Sequence, residues 1–156
     1  FFKGCLSVEV MMAFHSVSWR IHCSCIDDID LIEQAMKHLS VTKSEITREK
    51  SKSYHGAPQV ILEMKISNKK SAKLCFIKLG EKVLEEIVSN GLRSQIDDDK
   101  VLHVRLSLSA MVSGEYKLAK GSEWKNAVKG RFKIESYPGQ KPSEIITALL
   151  ESARFE

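Results

Sequence analysis

Leu102, Val104, Leu106 and Leu108 recur at every second position, the period of a strand that buries one face and wets the other. A turn cluster, Asp97-Asp98-Asp99-Lys100, opens this run, and Ala110-Met111-Val112-Ser113-Gly114 leads out of it. A second extended run, Glu115 to Ala119, presents Tyr116 and Leu118 to one side. After a polar loop containing Trp124, Val128, Phe132 and Ile134 alternate with Lys129, Arg131, Lys133 and Glu135. Three extended runs in succession predict a sheet, and the residues at the wet positions make its solvent face basic.

The remaining chain supplies partners for that sheet. Val17, Trp19, Ile21, Cys23 and Cys25 alternate with Ser18, Arg20, His22 and Ser24, so a strand with one buried side is expected there. A helix should follow to about Leu39, with Asp27 as its N-cap and Ile26 stapled onto Leu31. A short basic strand is expected over Glu45 to Lys50, and a longer one over Gln59 to Ser67 with Val60, Leu62, Met64 and Ile66 inward. Between them, Tyr54-His55-Gly56-Ala57-Pro58 has turn chemistry. Asn68 is a natural N-cap for a long helix over 69–89 that Asn90-Gly91 ends, and Pro142 suits the first turn of a last helix carrying Ile145, Ile146, Leu149, Leu150 and Ala153. The resulting order, β, α, β, β, α, β, β, β, α, favours an α+β two-layer sandwich. Its sheet would be mostly antiparallel or mixed, with helices on one face and the other face partly open to solvent. Trp19, Leu62, Leu79, Val104 and Phe132 should then be buried together.

A chain of 156 residues that is 43% hydrophobic suffices for one core, so a single domain over 13–156 is expected, with 1–12 as an N-terminal extension. That extension lacks the cleavage-site pattern of a secretory signal, although Leu6, Val8 and Val10 alternate as an edge strand would. No run of about 18 uncharged apolar residues is present, which argues against a membrane partner. Cys5, Cys23, Cys25 and Cys75 form no CxxC pair and no Cys/His zinc spacing, so they are read as reduced thiols of a cytoplasmic protein.

Chemistry-bearing clusters are sparse. The Asp97-Asp98-Asp99 triplet could offer oxygens to a divalent cation, but the spacing is not that of an EF-hand and an ordinary turn explains it. His55 has no nucleophile motif to serve, and His22 alternates away from Cys23 and Cys25. Neither a metal, a cofactor nor an enzymatic reaction is therefore expected. The formal charge of +4 tilts the surface toward polyanions. Lys50, Lys52, Arg105, Lys129, Arg131 and Lys133 are the candidate RNA-phosphate contacts, drawn from the basic strand before His55 and from the wet face of the later strands. Aromatic residues make up only 7% of the chain and no RNP-type motif is visible, which favours backbone and shape recognition of structured RNA over base stacking.

His55-Gly56-Ala57-Pro58, then Val101-Leu102-His103-Val104-Arg105-Leu106, Gly114-Glu115 and Ile134-Glu135-Ser136-Tyr137-Pro138 occur in an order that can be recognised. In this respect the chain resembles an archaeal family of small RNA-binding proteins described as predicted exosome subunits, with a domain like ribosomal protein L5. The resemblance spans Phe14 to Glu151. The family's Arg-Leu-Asp-Lys-Gln-Ala-Ala stretch stands here as Arg105 to Met111, with Ser107-Leu108-Ser109 replacing its charged centre. The resemblance implies a non-enzymatic, cytoplasmic RNA-binding protein that assists RNA processing or degradation, with RNA and exosome proteins as partners. A protein-interaction module without RNA contact is the alternative, for which Ile61, Val101 and Val112 would supply an exposed apolar patch. Oligomeric state is not readable from the sequence.

Overall fold

The computed structural model of the chain describes residues 14–24, 27–40, 45–52, 56–124, 126–135, 139 and 141–154, with the backbone alone for 92, 93 and 150–154. Strands β1 (Phe14–Ser24), β2 (Ile46–Lys52), β3 (Pro58–Ile66), β4 (Val101–Leu106) and β5 (Val128–Ile134) form one sheet in the order β2-β3-β1-β5-β4. Every pairing is antiparallel. The helices are α1 (Ile29–Lys37), α2 (Lys69–Lys78), α3 (Glu81–Ser89), the short α4 (Leu92–Gln95) and α5 (Leu108–Val112), and α6 (Pro142–Arg154). Ile32 and Met36 of α1, Ala72, Cys75 and Phe76 of α2, Val83 and Ile87 of α3, and Ile146 and Leu149 of α6 join the inward residues of the strands in one buried cluster. The result is the expected α+β architecture, and the helices that join this cluster pack on one face of the sheet.

Why β1 lies at the centre follows from its composition. Phe14, Val17, Trp19, Ile21 and Cys23 are all buried, and the strand pairs with β3 on one side and β5 on the other. Trp19 stands opposite Gly130, where a β-carbon would come within 2.5 Å of the indole, so the ring occupies space that only glycine leaves open. Phe132 meets Trp19 edge-on at 5.3 Å between centroids, and Phe14 and Phe76 complete an aromatic cluster at similar spacings. Trp19, Leu62, Leu79, Val104 and Phe132 all belong to the single core, as their periodicity predicts. Burial pushes the Cys23 thiol up to about 11, which keeps it protonated.

Several local expectations are corrected. Asp28, not Asp27, caps α1 by accepting the Leu31 N–H at 3.2 Å, while the Asp27 carboxylate takes the Ser24 N–H and closes the preceding turn. Leu31 is 47% exposed, and the Ile26 expected to staple onto it lies outside the described residues. The single helix expected over 69–89 is two, because Gly80 adopts φ +97°, a value no helical residue can hold. The apolar stripe nevertheless runs on from Phe76 and Leu79 to Val83 and Ile87. β4 ends at Leu106 rather than Leu108: the Ser107 hydroxyl accepts the Ala110 N–H and starts α5 instead. The strand expected over Glu115 to Ala119 reduces to a bridge between Leu106 and Leu118. The readings of Leu6, Val8, Val10, Cys5, Cys25, Ile26, Tyr54, His55, Tyr137 and Pro138 lie outside the described residues, as do those of the Leu150 and Ala153 side chains.

Candidate nucleic-acid interface

Residues directly opposed across two strands share a sheet face with β-carbons about 5 Å apart, so the register assembles the open face row by row. One row runs His103, Arg131, Ser18, Lys65 from β4 to β3. The next runs Arg105, Lys129, Arg20, Glu63, Thr47 from β4 to β2, and on the other side lies Val101, Lys133, Ser16. Arg105, Lys129, Arg131 and Lys133, which come from two strands, thus meet on one surface, and the structure adds Arg20 and Lys65 to them.

Lys50 and Lys52 do not join that surface. They oppose Val60 and Pro58, which puts them on the helix side of β2, as it does Arg48 opposite Leu62. Arg48 bonds Asp30 at 2.6 Å and also Glu33, both on α1, and this pairing raises its pKa further. Edge strand β2 is exposed along most of its length and carries charges on both faces, so alternation in its sequence does not report which face is which.

The cations on the open face differ in what they already hold. Arg20 donates to Glu63 at 2.6 and 3.1 Å, and Lys65 approaches the same carboxyl at 3.3 Å. Arg20 first, with help from Lys65, holds Glu63 below the usual carboxylate range. Lys129, Arg131 and Lys133 have no ion-pair partner among the described residues. His22, nearby on β1, has its pKa lowered by burial and then by Lys129 and Arg20. Elsewhere the basic tally thins: Lys69 is paired with Glu135 at 2.9 Å, and Lys73 is buried.

Two features of this face are not apparent in the sequence. Arg105 lies over the Trp124 ring at 4.2 Å and donates to the Trp124 carbonyl at 3.1 Å, while the indole remains 53% exposed. Trp124 belongs to a 3₁₀ turn, Gly121–Trp124, so an aromatic surface stands at the β4 edge where sequence shows only a polar loop. Second, a cleft of about 400 Å³ opens on the face, and Ser16, Ser18, Lys65, Arg131 and Lys133 line it, with His15 beside them. The small serines of β1 form the hollow, and longer side chains from both neighbouring strands wall it.

The other candidate chemistries lack geometry. The Asp97 carboxylate accepts from the Asp99 and Val101 N–H groups and pairs with His103 at 2.7 Å, which lowers its pKa and closes the turn. Among the described residues no three His, Cys, Asp or Glu side chains gather as a metal would require. Ser107 and Ser109 both reach the Glu123 carboxylate, so the replaced centre of the family stretch builds a helix start. Val101 is 6% exposed, which removes it from the apolar patch considered as an alternative. Among the described residues no helix is long and apolar enough to cross a membrane.

A family model described as RNA binding matches residues 16–134, a span that contains almost all of the sheet and every residue of the basic face. The chain belongs to this RNA-binding family. Solved structures of DUF54 proteins from archaea share the fold. The protein from Archaeoglobus fulgidus is 24% identical with a TM-score of 0.73, and the match covers 89% of this chain and 99% of that one. A DUF54 protein from Methanothermobacter thermautotrophicus is 18% identical with a TM-score of 0.66, over 92% and 97% of the two chains. A third, from Sulfolobus solfataricus, is 19% identical with a TM-score of 0.64, over 88% and 98%. At such identities the likeness is one of fold. No curated protein matches the chain. Within this RNA-binding family member, the open sheet face brings together cations without an ion-pair partner among the described residues and the exposed Trp124 ring.

Proposed function

We propose that this protein binds RNA on its open sheet face without acting on it chemically, as an accessory factor in RNA processing or degradation associated with the exosome. The observation that supports it best is the set of cations Lys129, Arg131 and Lys133 on β5, without an ion-pair partner among the described residues and flanked by Arg105 on β4 and Arg20 on β1. Membership of the RNA-binding family gives that charge a polyanion of stated kind. The association with the exosome rests on the sequence resemblance alone.

Each phosphate neutralised releases counterions, so affinity should fall steeply with salt and depend little on base sequence. Trp124 modifies the expectation drawn from composition, because an exposed indole backed by a guanidinium offers a stacking surface to an unpaired base. Single-stranded or looped RNA should therefore bind at least as well as a duplex. An anisotropy titration with both RNA forms at low and high salt tests the reading. Absence of binding to either at low salt would contradict it and return the protein-interaction alternative.

A further inference from the structure

We infer that the cleft between β5 and β3 receives a phosphate monoester, the dianionic end of an RNA strand or of a mononucleotide. The inference rests on the open-face reading above but makes a separate demand of it. A line of cations along a strand suits the single charges of successive phosphodiesters. Here Lys65, whose ammonium also approaches Glu63 at 3.3 Å, borders the hollow on one side while Arg131 and Lys133 border it on the other, so three cations surround one place. A monoester carries close to two charges at neutral pH and three acceptor oxygens, where an internal diester carries one charge. The fork of Arg131 can hold two of those oxygens, the lysines act as point charges, and the Ser16 and Ser18 hydroxyls supply further donors at the floor.

The architecture favours a built site over an accident of surface charge. Ser16 and Ser18 are half-buried on the central strand, where larger side chains would fill the depression. Arg131 and Lys133 have no ion-pair partner among the described residues, so their charge is available. The volume of about 400 Å³ falls in the range of small-ligand sites, roughly 300–1,000 Å³, and accommodates a phosphate together with part of its nucleoside.

The test compares one RNA oligonucleotide in three forms: 5′-phosphorylated, 3′-phosphorylated, and hydroxyl at both ends. Adenosine monophosphate and adenosine are titrated separately by calorimetry. A phosphorylated end should bind about tenfold more tightly than the hydroxyl form, the gain expected of charge-assisted hydrogen bonds. Ser18→Leu, which fills the hollow from its floor, should erase that gap. Arg131→Ala should also erase the gap, and it serves if Ser18→Leu does not fold. Arg105→Ala should weaken all three RNAs alike. Adenosine monophosphate binding without an RNA end preference would assign the cleft to free mononucleotides. Equal affinity for all three RNAs together with no adenosine monophosphate binding would overturn the inference, as would an end preference that survives both cleft variants. If no RNA binds at all, the proposed function fails, and the adenosine monophosphate titration still judges the cleft.

Discussion

Gly130 sits between the two basic residues Lys129 and Arg131 on β5, yet its own environment is the Trp19 indole at the centre of the core. Gly130→Ala should therefore destabilise the protein by about 1–3 kcal/mol through overpacking. Lys129→Ala should stay within roughly 0.5 kcal/mol of wild type. Chemical denaturation of the two variants measures the contrast. His22 gives a second residue-scale prediction. Its folded pKa lies below the ordinary value of 6.5, so between the two values the unfolded chain binds the proton that the folded chain does not. The stability associated with neutral His22 is thus complete above about pH 6.5 and declines as pH falls toward the folded value. An RNA phosphate near Lys129 would offset the positive potential, raise the His22 pKa and make binding take up a proton. An NMR titration of the His22 ring with and without RNA checks this, and a pKa that RNA leaves unmoved would place the phosphates elsewhere.

Elements were legible where one physical signal acted alone. β1, β3 and β5 alternate because one face meets the helices and the other meets water, and Asn68 and Pro142 mark helix starts by local chemistry. The signal failed where two effects competed. In Ser107-Leu108-Ser109 an alternating pattern coincides with a serine able to cap a helix, and the cap prevails. At Gly80 the apolar stripe runs on while the backbone turns, because the two helices pack on the same core. The candidate site was legible on β4 and β5, whose buried halves reveal which residues face out. It was not legible on β2, where Lys50 and Lys52 sit on an edge strand with charges on both faces, nor at Trp124, which comes close to Arg105 only through a long-range turn. Leu106 tests the β4 register directly. Its side chain is fully buried, so Leu106→Asp should unfold the domain, since an unpaired buried charge costs several kcal/mol against a net stability of about 5–15 kcal/mol. A soluble Leu106→Asp protein with a cooperative melt would refute that register.

At the scale of the whole molecule, a one-sided helical layer leaves the opposite sheet face to serve as a surface, and the family places RNA among its ligands. That arrangement separates two groups of lysine and arginine that look alike in sequence: Lys129, Arg131 and Lys133 on the open face, and Lys50 and Lys52 on the helix side of an edge strand. The most direct test is the salt dependence of RNA affinity, recorded in parallel for wild type, for the triple change of Lys129, Arg131 and Lys133 to Ala, and for the double change of Lys50 and Lys52 to Ala. The triple variant should weaken binding by similar factors across RNA sequences and flatten the slope of log K against log salt by about two to three units, as loss of three phosphate contacts requires. The double variant should keep the wild-type slope. A double variant that loses slope while the triple variant retains it would contradict the assignment of the RNA face.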